Sequence, residues 1–210
     1  MPKYPFSPSL IEHFQSMFLK FAPSRTPHAE NLKKAAVGII LVAADDRSGE
    51  TAFLLTLRCA QLRSHGGQYA LPGGRADNGE DAVDTVIREC MEEIALDLSA
   101  ERVLGTLDVY VTQSGYAITP VVFATTREPD LCLNPSEVDQ VFRIKLSDLC
   151  GDQSAQFLNQ DEDGRRLIRF PIFDHHIYAP TAAILYQFME MIAGRYQRVD
   201  DFAAPDFARR

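Results

Sequence analysis

Apolar residues recur at helical spacing near the start of the 210-residue chain. The pattern follows Ser7-Pro8, where a capping residue precedes a proline whose missing N–H costs little in a first helical turn. The positions that form the apolar stripe are Leu10, Ile11, Phe14, Met17, Phe18 and Phe21. We therefore predict an amphipathic helix, whose stripe either packs on the rest of the chain or forms a contact between two copies in a homodimer.

Two later stretches show the same helical period. In residues 81–96, the positions that share one apolar face are Val83, Val86, Ile87, Cys90 and Ile94. Asp81 is the predicted N-cap of this helix, and Asp84 lies in its first turn, where a negative charge suits the helix dipole. Residues 181–193 form the third predicted helix, which ends at Gly194.

Strand-like runs lie between these helices. They comprise residues 35–44, 51–58, 103–111, 118–125, 138–146 and 167–173, and the last run is expected to pair with Phe157-Leu158. Mixed strands with helices on either side predict an α/β fold, an α/β/α sandwich around a mixed β-sheet. We divide the chain into an N-terminal helical extension (1–34), a main domain (35–194) and a C-terminal tail (195–210). The tail has few apolar anchors, and we expect it to be loose.

Composition narrows the classes of function. The formal net charge is −8, whereas general nucleic-acid binders and anionic-membrane binders show a basic footprint, so we expect neither. The chain has no run of about 18 apolar residues, and its N-terminus is unlike a signal peptide, so we expect a cytoplasmic protein. The four cysteines show no zinc-binding spacing. His175-His176 would point to opposite sides of an extended segment, which argues against a metal site there.

A cluster of acidic residues lies on the second predicted helix. Glu89, Glu92 and Glu93 stand at positions i, i+3 and i+4, so they fall on one side of the helix, away from the apolar face. Such a group is often a solvated acidic face. Grouped carboxylates also suit hard cations such as Mg²⁺ or Mn²⁺, whose coordination is commonly completed by water and by the phosphates of a substrate.

The spacing around these acids decides between the two interpretations. Gly74, Glu80 and the run Arg88-Glu89-Cys90-Met91-Glu92-Glu93-Ile94-Ala95-Leu96 resemble the Nudix box, G-x5-E-x7-R-E-U-x-E-E-x-G-U, where U is bulky and apolar. Cys90 stands at a U position and behaves as a small hydrophobe, while Ala95 replaces the last glycine. The resemblance implies a Nudix fold, which is an α/β/α sandwich, and the activity of a pyrophosphohydrolase.

The resemblance also implies roles for the residues of the box. The implied ligands of Mg²⁺ or Mn²⁺ are the side chains of Glu89, Glu92 and Glu93 and a backbone carbonyl, that of Gly73 or Gly74. Gly74 would support the loop, and Glu80 and Arg88 would pair to hold that loop against the helix. The general base is either one of the helix glutamates or Glu137, which belongs to a later segment. The alternative for Glu137 is an ordinary surface residue.

A second pattern precedes the box. Its parts, in order, are Leu54-Leu55-Thr56-Leu57-Arg58-Cys59, Arg63, Gly67 and Leu71-Pro72-Gly73-Gly74. Together they resemble the signature of coenzyme A pyrophosphatases, L-L-T-x-R-[S/A]-x3-R-x3-G-x3-F-P-G-G, with Cys59 in place of Ser or Ala and Leu71 in place of Phe. Ser114-Gly115-Tyr116 with Thr119-Pro120 resembles a segment that follows the box in those enzymes. The resemblance covers about residues 37–149.

This second resemblance implies a substrate with several phosphates. Coenzyme A carries a diphosphate and a further 3′-phosphate, so its binding cleft needs basic groups. Arg58 and Arg63 would supply forked donors to phosphate, with His65 and Gln68 as lesser contacts. The alternative for each arginine is a solvated position at a strand end.

These residues predict an enzyme that uses Mg²⁺ or Mn²⁺ and acts on a small-molecule nucleotide. By resemblance the substrate is coenzyme A or a thioester of it, and the products are 3′,5′-ADP and the phosphopantetheine portion. One alternative is the same chemistry on ADP-ribose, a dinucleotide or a nucleoside triphosphate. Another is a ligand-sensing protein that retains the fold without the activity, although such a protein can lose its box glutamates and all four are present here.

Overall fold

The computed structural model describes residues 3–24, 31–62, 65–98, 103–125, 128–150, 154–160, 164–173, 175–199 and 202–203. Its α-helices are α1 (Pro8–Phe18), α2 (Ala82–Ile94) and α3 (Thr181–Ile192). Each corresponds to one of the three helices predicted from the apolar period. Within the described ranges, no helix has both the length and the apolar character needed to span a bilayer.

The strands form two sheets. In chain order they are β1 (Lys33–Ala43), β2 (Thr51–Arg58), β3 (Tyr69–Ala70), β4 (Gly73–Arg75), β5 (Val103–Thr106), β6 (Tyr110–Val111), β7 (Tyr116–Ala124), β8 (Val138–Lys145), β9 (Gln156–Gln160), β10 (Arg166–Ile172), β11 (His175–Tyr178) and β12 (Phe202–Ala203). The larger sheet has the order β3-β2-β1-β7-β5, with β4 paired to β1, β6 to β7 and β8 to β2. The smaller sheet has the order β11-β10-β12, with β9 also paired to β10.

The central strand of the larger sheet is β1. It runs parallel to β7, from the pair Lys33 and Tyr116 to the pair Leu41 and Ala124. On its other side it pairs antiparallel with β4 at its beginning and with β2 at its end. The sheet is therefore mixed, as predicted, and the glycine-rich stretch that precedes α2 is itself a short strand of this sheet.

The larger sheet is buried on both faces. One apolar cluster joins α2 to the sheet, and its residues include Ile40, Val42, Leu54, Val86, Cys90 and Ile94. A second cluster lies on the other face and unites α1, α3 and the smaller sheet, with members that include Phe14, Phe18, Leu55, Phe170 and Phe188. The helices thus enclose the sheet from two sides, which confirms the predicted α/β/α arrangement. The stripe of α1 packs on the rest of the chain.

Two strand predictions need correction. The run at 103–111 was predicted as one strand, but it divides into β5 and β6, because the N–H of Asp108 donates to the side-chain oxygen Oε1 of Gln187 on α3, at 3.0 Å, instead of to β7. Strand β11 was not predicted, because it is short and lies directly after β10, with which it pairs from Ile172–His175 to Arg169–Tyr178. The predicted pairing of residues 157–158 with the run at 167–173 is confirmed.

The expectation of a loose C-terminal tail is wrong for its described part. Val199 and Phe202 are buried, and β12 runs parallel to β10. The hydroxyl of Tyr110 donates to the carbonyl of Phe202 at 2.8 Å, and the guanidinium of Arg166 lies 4.5 Å from the centre of the Phe202 ring. These contacts hold the tail because they join it to residues of the folded domain that lie far from it in the sequence.

Candidate active site

Local hydrogen bonds define both ends of α2. Asp81 is the N-cap, and its Oδ1 accepts from the N–H groups of Val83 and Asp84 at 2.8 and 2.9 Å. At the other end Ala95 adopts the left-handed conformation, with φ 53°, and the N–H of Leu96 reaches back to the carbonyl of Cys90 at 3.1 Å. Ala95 therefore makes the turn that the family pattern assigns to glycine, at some cost in backbone strain.

The three acidic residues near the end of α2 differ strongly in exposure. The side chain of Glu93 is 3% exposed, that of Glu89 is 13% exposed and that of Glu92 is 53% exposed. The interpretation as a solvated acidic face therefore describes Glu92 alone. Glu89 and Glu93 turn inward, toward β4 and the end of β2.

Strand β4 lies against these inward carboxylates. The N–H of Gly73 donates to Oε2 of Glu93 at 3.1 Å. A Cβ on Gly74 would lie 2.4 Å from Oε1 of Glu89, and one on Gly73 would lie 2.3 Å from the carbonyl oxygen of Ala36. Gly73 needs glycine because the backbone of β1 approaches it closely, whereas a side chain at Gly74 would displace the carboxylate of Glu89. For Gly73 the structure shows its N–H at the acids, whereas the predicted metal contact of its carbonyl stays a prediction.

Arg88 connects the loop that precedes α2 to the helix. Its Nε donates to Oε1 of Glu80 at 2.8 Å, and its Nη2 donates to Oε2 of Glu80 at 3.1 Å and to the carbonyl of Arg75 at 2.9 Å. These bonds to Arg88, together with the N–H of Asp77, lower the pKa of Glu80 to about 2. Glu80 and Arg88 thus form the pair expected from the box and hold the loop against the helix.

The same guanidinium also contacts two of the predicted metal ligands. Nη1 of Arg88 lies 2.9 Å from Oε1 of Glu89 and 3.1 Å from Oε2 of Glu92. In the part of the chain that the structure describes, no three His, Cys, Asp or Glu side chains converge as a metal cage. Arg88 and the N–H of Gly73 hold the carboxylates in this arrangement.

Burial has the largest effect on the pKa of the two inward carboxylates. Burial raises the pKa of Glu93 to about 7, against the stabilising N–H of Gly73, and repulsion from Glu89 raises it further. Burial also raises the pKa of Glu89. In each case burial outweighs the nearby arginine, which is Arg58 for Glu93 and Arg88 for Glu89. Oxygen donors with this excess of negative charge fit a divalent cation in chemistry and in charge.

Arg58 belongs to the motif that precedes the box and is the last residue of β2. Its side chain lies beside Glu93. Its Nη1 lies 3.8 Å from Oε1 of Glu93, and its Nε is buried without a hydrogen-bond partner. A buried donor of this kind is costly unless an acceptor approaches it. Arg58 is therefore not a solvated residue at a strand end, and its unpaired Nε suits an incoming oxygen.

The structure describes three of the four predicted substrate-binding residues, and two of these, His65 and Gln68, lie in the loop after Arg58. This loop folds back on β2, with the N–H of Arg58 donating to the carbonyl of Gln68 at 3.0 Å. Nδ1 of His65 lies 3.2 Å from Oε1 of Gln68, so these two side chains contact each other. Arg63 lies outside the described residues, and its predicted role stays a prediction.

Glu137 lies close enough to α2 to affect its carboxylates. Its negative charge contributes to the raised pKa of both Glu89 and Glu93, and its carbonyl accepts from the N–H of Cys59 at 2.8 Å. The side chain is half-buried. Glu137 therefore lies near Glu89 and Glu93, and its role as general base stays a prediction.

Asn134 belongs to the same site and was not predicted. Its N–H donates to the carbonyl of Glu93 at 2.9 Å, and its side chain lies beside that of Glu137. The sequence Asn134-Pro135-Ser136 carries a turn signal that marks the position. That signal alone does not say that the turn meets the end of α2.

A cavity of about 330 Å³ opens at the opposite end of α2, beside its first turn. Its lining includes Lys34, Glu80, Thr85 and Thr119. Glu89, Glu92 and Glu93 are not among the residues that line it. Their surroundings are the glycines of β4, the end of β2 and the segment around Glu137.

Comparison with known proteins assigns the chain to a family. Residues 32–169 match the family model of the NUDIX domain. The uncharacterized Nudix hydrolase NudL of Photorhabdus laumondii is 30% identical over 187 residues, which cover 88% of this chain and 98% of that protein. NudL of Klebsiella pneumoniae is 36% identical over 141 residues, which cover 66% of this chain and 70% of that protein. Among solved structures, a Nudix hydrolase from Nitrosomonas europaea has the same fold, with a TM-score of 0.55 at 15% identity over 83% of this chain and 80% of that one. The chain therefore belongs to the Nudix hydrolase family, whose members cleave nucleoside diphosphate derivatives.

Proposed function

We propose that this Nudix hydrolase cleaves the diphosphate linkage of coenzyme A or its thioesters, giving 3′,5′-ADP and phosphopantetheine or its acyl form. The observation that carries the proposal is the place of Arg58, the first arginine of the coenzyme A pyrophosphatase motif. Its guanidinium lies beside Glu93 with a buried and unpaired Nε. A phosphate oxygen would supply the acceptor that this donor lacks.

The carboxylates of α2 are the proposed ligands of Mg²⁺ or Mn²⁺. Glu89, Glu92 and Glu93 would hold the cation together with the carbonyl of Gly73. The burial of Glu89 and Glu93 and the repulsion between these two carboxylates favour such binding. When bound, the cation neutralises phosphate oxygens and makes the attacking water more acidic. Arg88, which contacts Glu89 and Glu92, keeps two of these side chains on the correct side of the helix.

Glu137 is the proposed general base. A carboxylate that binds a cation is a weak base, because the cation lowers its pKa. Glu137 comes from a different element and faces the same carboxylates, so its own oxygens remain to accept a proton from the attacking water. The other catalytic residues are then the three glutamates of α2, which position the reacting groups.

The remaining phosphates of the substrate would bind to the loop between β2 and β3. Arg58 and Arg63 are the proposed donors to phosphate, with His65 and Gln68 as lesser contacts. Two forked guanidiniums suit a ligand that carries a 3′-phosphate in addition to a diphosphate. This requirement favours coenzyme A over ADP-ribose, which lacks the additional phosphate.

The test compares substrates that differ in one group. Purified protein is incubated with Mn²⁺ or Mg²⁺ and with coenzyme A, 3′-dephospho-coenzyme A, ADP-ribose, a dinucleotide or a nucleoside triphosphate, and the products are separated by chromatography. We expect the highest kcat/KM for coenzyme A or a thioester, with 3′,5′-ADP as product. A higher kcat/KM for ADP-ribose would reject the substrate and keep the diphosphate chemistry, whereas no turnover of any substrate would favour a ligand-sensing protein.

The Arg58→Lys variant tests the role of the forked donor. Lysine keeps the charge but loses the bidentate geometry. We expect kcat/KM for coenzyme A to fall on the order of tenfold or more, since a charge-assisted hydrogen bond is worth about 1.5–3 kcal/mol. An unchanged kcat/KM would show that Arg58 does not bind the substrate.

A further inference from the structure

The segment after β7 closes the end of α2. The last carbonyls of a helix have no partner within the helix. Here the N–H of Cys132 donates to the carbonyl of Ile94 at 3.0 Å, and the N–H of Asn134 donates to the carbonyl of Glu93 at 2.9 Å. Asn134 is therefore bonded directly to the backbone of the most deeply buried glutamate of the site.

The side chain of Asn134 organises a tight turn. Its Oδ1 accepts from the N–H and the hydroxyl of Ser136, at 3.2 and 2.7 Å. Its backbone carbonyl accepts from the N–H groups of Glu137 and Val138, at 3.0 and 2.9 Å. Pro135 restricts the backbone between them. The turn thus delivers Glu137 at a defined place directly before β8.

The other side of this turn is held by the beginning of the loop between β2 and β3. The N–H of Cys59 donates to the carbonyl of Glu137 at 2.8 Å, and the N–H of Ala60 donates to Oδ2 of Asp139 at 3.3 Å. The backbone of Glu137 is therefore fixed between α2 and β2. What these bonds leave undetermined is the direction of the Glu137 carboxylate.

One group in the turn acts on that carboxylate. Nδ2 of Asn134 lies 3.5 Å from Oε1 of Glu137, at the long end of the range for a hydrogen bond. The amide of Asn134 thus has two roles. Its oxygen closes the turn, and its nitrogen faces the carboxylate of Glu137. An aspartate could close the turn in the same way, but it could not donate to Glu137 and would repel it.

We propose that Asn134 is a positioning residue, whose amide nitrogen holds the carboxylate of Glu137 toward Glu89 and Glu93 on α2. The proposal rests on the role of Glu137 as general base given above. It goes beyond that role because it assigns the orientation of the base to a residue that is no part of the Nudix box. It assigns Asn134 a contact with the base and no contact with the substrate or the cation.

The decisive variant is Asn134→Asp, because it keeps the acceptor that closes the turn and loses the donor. We expect kcat to fall on the order of tenfold to a hundredfold, the scale expected when a catalytic group is misplaced by about 1 Å. We expect KM for the nucleotide and the midpoint of thermal unfolding to stay at the wild-type values. A fall in kcat without a change in KM is the mark of an interaction that acts in the transition state.

Two further variants serve as references. Ser136→Ala removes one hydrogen bond of the turn and leaves the amide nitrogen of Asn134 in place, so we expect wild-type kcat. Glu137→Gln removes the base, and we expect kcat to fall about 10²- to 10⁴-fold. The double variant Asn134→Asp/Glu137→Gln is expected to be no slower than Glu137→Gln, because both changes act through one group.

The outcomes separate the two assignments. Wild-type kcat in Asn134→Asp, when Glu137→Gln is slow, would overturn the positioning role and leave the base in place. Equal losses in Ser136→Ala and Asn134→Asp, or a double variant that shows the product of both losses, would also overturn it. Wild-type kcat in Glu137→Gln would reject the base itself and, with it, the positioning proposal.

Discussion

Two carboxylates are almost equally buried on opposite faces of the larger sheet. Asp108 lies between β5 and β6 on the face covered by α3, and Glu93 lies on α2. The side chains are 6% and 3% exposed. Their surroundings differ in the hydrogen-bond donors and positive charges that the protein places around each carboxylate.

Asp108 is fully provided with donors. Its Oδ1 accepts from the N–H of Ser24 at 2.6 Å, and its Oδ2 accepts from Nε2 of Gln187 at 2.7 Å. Nη1 of Arg198 contacts both oxygens, at 2.6 and 2.7 Å. This cluster joins the segment after α1, the helix α3 and the C-terminal segment, so its role is structural.

Glu93 has fewer partners. The N–H of Gly73 is its one short contact among the described residues, and Arg58 remains 3.8 Å away. Burial therefore raises its pKa to about 7. The comparison teaches that burial of a charge does not by itself identify a functional site. An incomplete set of partners is what makes Glu93 the candidate of the two, because a ligand could complete that set.

The largest expected effect comes from Glu93→Gln. Glutamine keeps an oxygen for the N–H of Gly73 but removes a charge of the proposed cation site, so turnover should fall about a thousandfold or more. Loss of an under-compensated buried charge should leave the free energy of unfolding unchanged or higher. Steady-state kinetics and urea unfolding of the same preparation measure both quantities. Undiminished activity would refute the assignment of the site.

Asp108→Ala is the matched change on the other face. It leaves the N–H of Ser24 and the amide of Gln187 without their acceptor, so the free energy of unfolding should fall by about 2–3 kcal/mol. The contribution of the half-exposed Arg198 is the smaller part, because solvent screens it. The kcat of the folded fraction should not change. A loss of kcat without a loss of stability would contradict the structural role of Asp108.

Gly74→Ala tests the close approach of β4 to the acids. Its Cβ would lie 2.4 Å from Oε1 of Glu89, so the carboxylate must move while the backbone remains in place. We expect activity to fall on the order of tenfold or more, with little change in the unfolding midpoint. The double variant Gly74→Ala/Glu89→Asp should be no slower than Glu89→Asp alone, because the shorter side chain avoids the added methyl group. A further tenfold loss in the double variant would contradict this explanation.

Glu80→Gln probes the pair with Arg88 through its pH dependence. The pKa of Glu80 in the folded protein is about 2, below its ordinary value of 4.5. Its contribution to stability is thus present above about pH 4.5 and is lost as the pH falls toward 2. The difference in free energy of unfolding between wild type and Glu80→Gln should shrink over that range. A difference that stays constant from about pH 6 to about pH 3 would contradict the pairing as the source.

The smallest effect is expected from Ala95→Gly. Ala95 has φ 53°, which costs an alanine about 1–2 kcal/mol and a glycine little. Because glycine loses more conformational entropy on folding, the net gain in free energy of unfolding should be about 0.5–1 kcal/mol. Equilibrium unfolding in urea measures this gain, and a loss of stability would show that the turn tolerates alanine without strain.

Much of α2 could be predicted from the sequence because its determinants are local. Asp81 caps a helix whose first N–H groups lie two and three residues away, and Arg88 pairs with Glu80 eight residues before it. The short strand β11 and the burial of Phe202 could not be predicted in this way. Both depend on β10 as a partner, and for Phe202 that partner strand lies more than thirty residues earlier in the chain.

The spacing of the acids and glycines by itself determined the family pattern, the helix that carries the acids and the pair that holds the loop. Only the tertiary structure decided that Glu93 is buried while Glu92 is exposed, that Arg58 and Glu137 reach the same helix, and that Asn134 lies against it. The physical reason is the range of the interactions. Helix period and capping act between neighbours in the chain, whereas the burial and pairing of a charge depend on segments that meet only when the sheet has formed.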